Sequence, residues 1–97
     1  MELTARQRAA LRSLAHPLKP MMHVGKEGVT PTLLDTLATA FNTRELLKLK
    51  VLGSAPEDAR ESAERIGSHL DDVHVVQVIG RTVVLYRRHP TEPEIKL

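Results

Sequence analysis

Gly25-Lys26-Glu27-Gly28, followed by Thr30-Pro31, is the stretch of this 97-residue chain whose residue types are best suited to chemistry. Glycine lets another backbone come close and adopts positive φ without penalty. Two glycines bracketing two residues therefore predict a sharp turn with exposed amides. Thr30 suits an N-cap and Pro31 the first helical position. A helix starting there would aim its unsatisfied N–H groups and positive dipole end back at the turn. That combination suits an anion, a phosphate above all. The competing reading is a turn that only closes a strand–helix connection.

Cations flank this turn in the sequence. Lys26 lies inside it and Lys19 shortly before it. Lys48 and Lys50 alternate with Leu47 and Leu49, so the lysines share one face of a strand. If that face continues through Gln77, Tyr86 and Arg88, it forms a basic sheet surface with a single aromatic. Tyr86 would then either stack one base, for roughly 1–3 kcal/mol, or pack along the sheet. Arg8 and Arg12 stand four apart on a predicted helix. Like charges at that spacing repel by about 0.2–0.5 kcal/mol, which an anionic partner would offset; ordinary surface placement is the alternative.

Other chemistry finds little support. The five histidines form no metal-spaced pair and the chain has no cysteine, so neither a metal site nor a cofactor is expected. No serine sits in a nucleophile setting, and adjacent Asp71 and Asp72 diverge on regular structure. The expectation is a protein that is not an enzyme and has no small-molecule substrate. Aromatics make up 2% of the residues, which rules out stacking of several successive bases. Residues 1–52 carry a net +4 and residues 53–97 a net −2, a polarity that steers one face toward a polyanion. The acidic residues of the second half leave open an alternative role as a protein-interaction adaptor, using the third helix or a sheet edge. With no signal core and no membrane-length apolar run, a cytoplasmic monomer without membrane contact is expected.

These residues need elements to hold them. Thr4 with Gln7 forms a capping box, and Ala10, Leu11, Leu14 and Ala15 form the stripe of a first helix that His16-Pro17 ends. A short strand is predicted from Met21 to Val24. Leu33, Leu34, Leu37, Ala38 and Phe41 give a second helix its inner face, with Asn42 as a left-handed stop. Glu45 to Leu52 reads as a strand. Ser54 with Glu57 reads as a second capping box, opening a third helix on Ala59, Ala63, Ile66 and Leu70. On its outer face Arg60 pairs with Glu64 and Glu61 with Arg65. Two last strands, His74–Ile79 and Thr82–Arg88, flank a Gly80-Arg81 turn of type II′. That turn places Val76 opposite Leu85 and Val75 opposite Tyr86. The predicted fold is an α/β two-layer sandwich in the order αβαβαββ, with a four-stranded mixed sheet and one partly open face. Residues 1–88 form the single domain, and 89–97 a short, loosely held tail.

Several of these stretches together resemble one family. His16-Pro17-Leu18-Lys19-Pro20, Val24 to Thr30, Glu45 to Lys50, and Val76 to Arg87 are similar to the CRM domain (chloroplast RNA splicing and ribosome maturation), in its bacterial stand-alone YhbY-type form. The resemblance spans about Leu3 to Arg87, with all landmarks in order. It implies a fold like the C-terminal domain of a bacterial translation initiation factor, with a KH-like GXXG loop. It also implies association with ribosomal RNA in precursors of the large ribosomal subunit; related domains assist intron splicing in plant organelles. The RNA-binding residues would be Gly25, Lys26, Gly28 and Thr30 at the loop, Lys19, Lys48, Lys50, Tyr86 and Arg88 on or near the sheet, and Arg8 and Arg12 on the first helix. Glu27 departs from what suits RNA, since a neutral or basic residue would serve better inside the turn.

Overall fold

A computed structural model describes residues 2–97. The elements run α1 (Ala5–Ala15), β1 (Met22–Val24), α2 (Pro31–Ala40), β2 (Leu46–Val51), α3 (Ala59–His69), β3 (His74–Ile79) and β4 (Thr82–Tyr86), the predicted order. The sheet is mixed, in spatial order β1-β2-β4-β3. β1 and β2 are parallel, joined through α2, whereas β4 lies antiparallel to both its neighbours. The β2–α3–β3 crossover thus joins two strands that run the same way with β4 between them.

The local signals explain most of the element boundaries. Thr4 and Gln7 make the reciprocal capping box of α1. Thr30 Oγ1 accepts from the Leu33 amide at 3.1 Å, and Pro31 opens α2. β1, β2 and β4 come out one or two residues shorter than expected, at Met22–Val24, Leu46–Val51 and Thr82–Tyr86, and two helix boundaries differ in kind. α3 starts at Ala59 and is boxed by Asp58 and Glu61, not by Ser54 and Glu57. The segment before it turns Pro56 against Gly28, which leaves Glu57 outside the helix. There Glu57 takes a bidentate contact from Arg65, at 2.7 and 2.9 Å, in place of the expected Glu61–Arg65 pair. α2 closes at Phe41 in ordinary right-handed geometry, and Asn42 is not left-handed.

One sheet face carries the main core. Leu33, Leu37 and Phe41 of α2 and its cap meet Ala59, Ala63 and Ile66 of α3 over Val24, Leu47, Leu49, Val51, Val83 and Leu85. On the opposite face α1 lays Leu11 and Ala15 on Leu46, Val76, Val84 and Tyr86. α1 reaches β2, β3 and β4 and covers only part of that face.

The β3–β4 register contains the principal surprise. Ile79, Val78 and Gln77 face Thr82, Val83 and Val84 as the Gly80 turn requires, and Gly80 has φ +57°. Beyond Gln77 a bulge intervenes, so Val75 faces Leu85 and His74 faces Tyr86. An inserted residue reverses the alternation that follows it. Val76 therefore packs under α1, and Val75 takes the core position opposite Leu85 that the turn alone assigns to Val76. Arg8 accompanies this break: its Nη1 donates to the Val75 carbonyl at 2.8 Å.

Residues 89–97 are held more firmly than expected. Glu45, only 7% exposed, accepts from the backbone amides of His89 (2.8 Å), Glu94 (2.7 Å) and Ile95 (2.7 Å). Ile95 packs against the α1 cluster. Burial alone would raise the Glu45 pKa. The amides of His89, Ile95 and Glu94, with the nearby His89 charge, outweigh it and hold the carboxyl below its ordinary value.

Candidate nucleic-acid interface

The glycine turn is built where β1 gives way to α2. The Gly28 amide donates to the Gly25 carbonyl at 2.9 Å, closing a β-turn with Lys26 and Glu27 exposed at its tip. The two glycines serve different ends. Gly28 has φ +71°, and a Cβ there would lie 2.9 Å from Pro56 Cγ; both backbone and packing demand glycine. Gly25 has no positive φ, and a Cβ on it would meet nothing within 4 Å. The protein's own packing does not need a glycine at position 25. Its bare Cα leaves open space beside the turn, the condition for an incoming backbone to approach closely.

The helix end contributes less than its length suggests. Pro31 has no N–H, and the Leu33 and Leu34 amides are taken by the Thr30 side chain and carbonyl. The Gly28 amide is likewise spent on the turn. From Lys26 to Thr32, the amides without a hydrogen bond are those of Lys26, Glu27, Val29, Thr30 and Thr32.

The structure divides the other candidates. Lys50 joins the turn. It pairs with His23 on one side and Thr82 on the other, next to Val24, where β1 enters the loop, and its side chain is exposed. Lys19 is exposed but precedes β1, at the opposite end of that strand from Gly25. Arg88 is exposed beyond Tyr86, again at the far end of the sheet. Arg12 is exposed on α1.

Three candidates are committed to the fold. Tyr86 is 1% exposed, under α1 and 6.2 Å from the His74 ring. Its face is not free to stack a base, and burial, with the Glu45 charge, raises its pKa. Lys48 turns its Nζ to the carbonyls of Ala15, His16 and Leu18 at 3.1–3.3 Å, closing the C-terminal end of α1. Arg8 is held at the β3 bulge. Two features engage these three: α1 covers the half of the sheet face on which Tyr86 and Lys48 lie, and the bulge draws Arg8 inward.

Two residues near the turn escaped the sequence reading. His23 is exposed beside Lys50. Arg81, in the β3–β4 turn, sits against Gly53, where a Cβ would fall 2.8 Å from its Nη1. The Val51 amide donates to the Arg81 carbonyl at 2.7 Å, so the hairpin end closes on the same end of β2. The period-two alternation of β2 could have flagged His23 only once its parallel register with β1 was known.

Among the described residues, no group of histidines and carboxylates could hold a metal ion, and no helix is long and apolar enough to cross a membrane.

A mixed four-stranded sheet flanked by helices, with a glycine-bracketed turn leading from an edge strand into a proline-started helix, defines a small α/β domain. Residues 3–87 match the CRS1 / YhbY (CRM) domain, and the chain belongs to that family. It is similar to the probable RNA-binding protein YqeI of Bacillus subtilis, 40% identical with 98% of each chain covered. It is also similar to the probable RNA-binding protein PA4753 of Pseudomonas aeruginosa, 32% identical over 93% of this chain and 86% of that one. The fold is close to the solution structure of SAV1595 from Staphylococcus aureus, an RNA-binding candidate. The TM-score is 0.80 and the identity 36%, over 99% of each chain.

Proposed function

We propose that this protein is a non-enzymatic RNA-binding domain that grips the RNA backbone at the Gly25–Gly28 turn. Its ligand is ribosomal RNA in cytoplasmic precursors of the large ribosomal subunit. The observation that carries the reading is the unfilled space at Gly25: the fold leaves room where a phosphodiester would come closest. Exposed Lys26 supplies charge at the tip, and the turn and Val29–Thr30 amides supply donors. The names of the relatives support RNA as the ligand class. With Tyr86 buried, recognition rests on backbone and shape more than on base stacking.

The direct test is to crosslink the protein in cells and sequence the attached RNA. Enrichment in precursor ribosomal RNA supports the reading. A spread over messenger RNA without a ribosomal peak overturns the choice of target.

A further inference from the structure

The cations of this protein fall into two groups. Arg8, Lys48 and Arg65 are hydrogen-bonded to carbonyls or a carboxylate, and Arg87 lies 5.6 Å over the Phe41 ring. The side chains of the other ten make no hydrogen bond or ion pair among the described residues and are exposed. Of these, Lys50 and Arg81 share a place: the end of the sheet that α1 leaves uncovered and where the glycine turn begins. Lys50 stands in a cross-strand row, His23–Lys50–Thr82–Ile79, whose members pair directly from β1 through β2 and β4 to β3. Paired residues point to the same side of a sheet, so this row presents one face. It contains no carboxylate. Three inter-strand steps make it about 14 Å across. Arg81 immediately precedes Thr82, in the turn at the same end, seated over side-chain-free Gly53.

We infer that Lys50 and Arg81, with His23 and Thr82 between and beside them, form a second phosphate-contacting surface, continuous with the glycine turn, along which an RNA strand runs across the open half of the sheet. The inference rests on RNA being the ligand at the turn. The turn fixes one point of the strand, and the row sets its direction, from β1 toward β3. Thr82 and His23 offer hydrogen bonds to phosphate or sugar oxygens. Exposed Ile79, at the end of the row, offers an apolar surface to a sugar or base edge. Arg81 adds the planar fork that suits phosphate.

The test uses the full chain and a fluorescent RNA hairpin with a single-stranded extension, read by anisotropy over a salt series. The double variant Lys50→Gln/Arg81→Gln is compared with a turn variant, Lys26→Gln, and with the parent. Thermal melts first establish that each is folded; Arg81→Lys supplies a charge-retaining control. The expected result is about tenfold weaker binding by the double variant, with a log-affinity against log-salt slope shallower by about 2. Parental affinity and slope in the double variant, alongside weakened binding by the turn variant, overturn the second surface and leave the turn standing. Weakened binding by the double variant with a parental turn variant supports the surface and removes Lys26 from the grip. Parental behaviour in both overturns the surface and the charge at the turn together.

Discussion

Gly28 and Gly25 are indistinguishable as letters, yet only one of them is demanded by the fold. Gly28→Ala forces a side chain into left-handed geometry, at about 1–2 kcal/mol, and toward Pro56; a lowered melting temperature checks this. Lys48 and Lys50 also look equivalent, two residues apart on one strand face. Lys48→Ala strips charged donors from three carbonyls and should destabilise by about 1–3 kcal/mol in a denaturant titration, whereas Lys50→Ala should leave stability unchanged. Tyr86→Ala should cost about 3–5 kcal/mol as a core truncation. The residue types and spacing made the turn, its cap and its lysine legible. They could not reveal which cations bond inward, because that depends on where α1 and the β3 bulge come to lie, and those positions are set by contacts distant in sequence.

At the scale of elements, local signals carried far. The Thr4–Gln7 capping box, the helix-starting proline and the Gly80 turn fix α1, α2 and the β3–β4 hairpin from a few residues each. The bulge was invisible because Val75 and Val76 are equally apolar, and only the two cores on opposite faces decide which points where. The tail was hidden for a similar reason: Glu45 reads as a strand-start residue until the amides of His89, Glu94 and Ile95 converge on it. That clasp is pH-dependent with a definite sign. Its folded-state pKa is depressed, so its contribution is present above the ordinary carboxyl value of 4.5 and is lost as pH falls through the lower folded value. Glu45→Gln, which retains one acceptor oxygen, should flatten that acid limb and speed amide hydrogen exchange at His89, Glu94 and Ile95. His74 acts in another window. Burial first, then the positive charge of Arg8, lowers its pKa. Protonation therefore favours the unfolded chain, and stability falls as pH drops below the ordinary 6.5. His74→Gln should remove that loss from a melting-temperature profile taken between neutral and mildly acidic pH.

The whole molecule separates its charges. The basic half supplies β1, the glycine turn and β2, and the acidic half supplies α3 and its flanks, a polarity that would steer a polyanion toward the basic half. With about four phosphates engaged, log affinity should fall against log salt with a slope of about −3. The measurement that bears most directly on the central claim replaces Gly25 with valine, where the backbone tolerates a side chain and nothing stands within 4 Å. If RNA grips the protein there, Gly25→Val melts like the parent yet binds RNA about tenfold or more weakly. A valine variant with parental melting and parental RNA affinity would contradict the account.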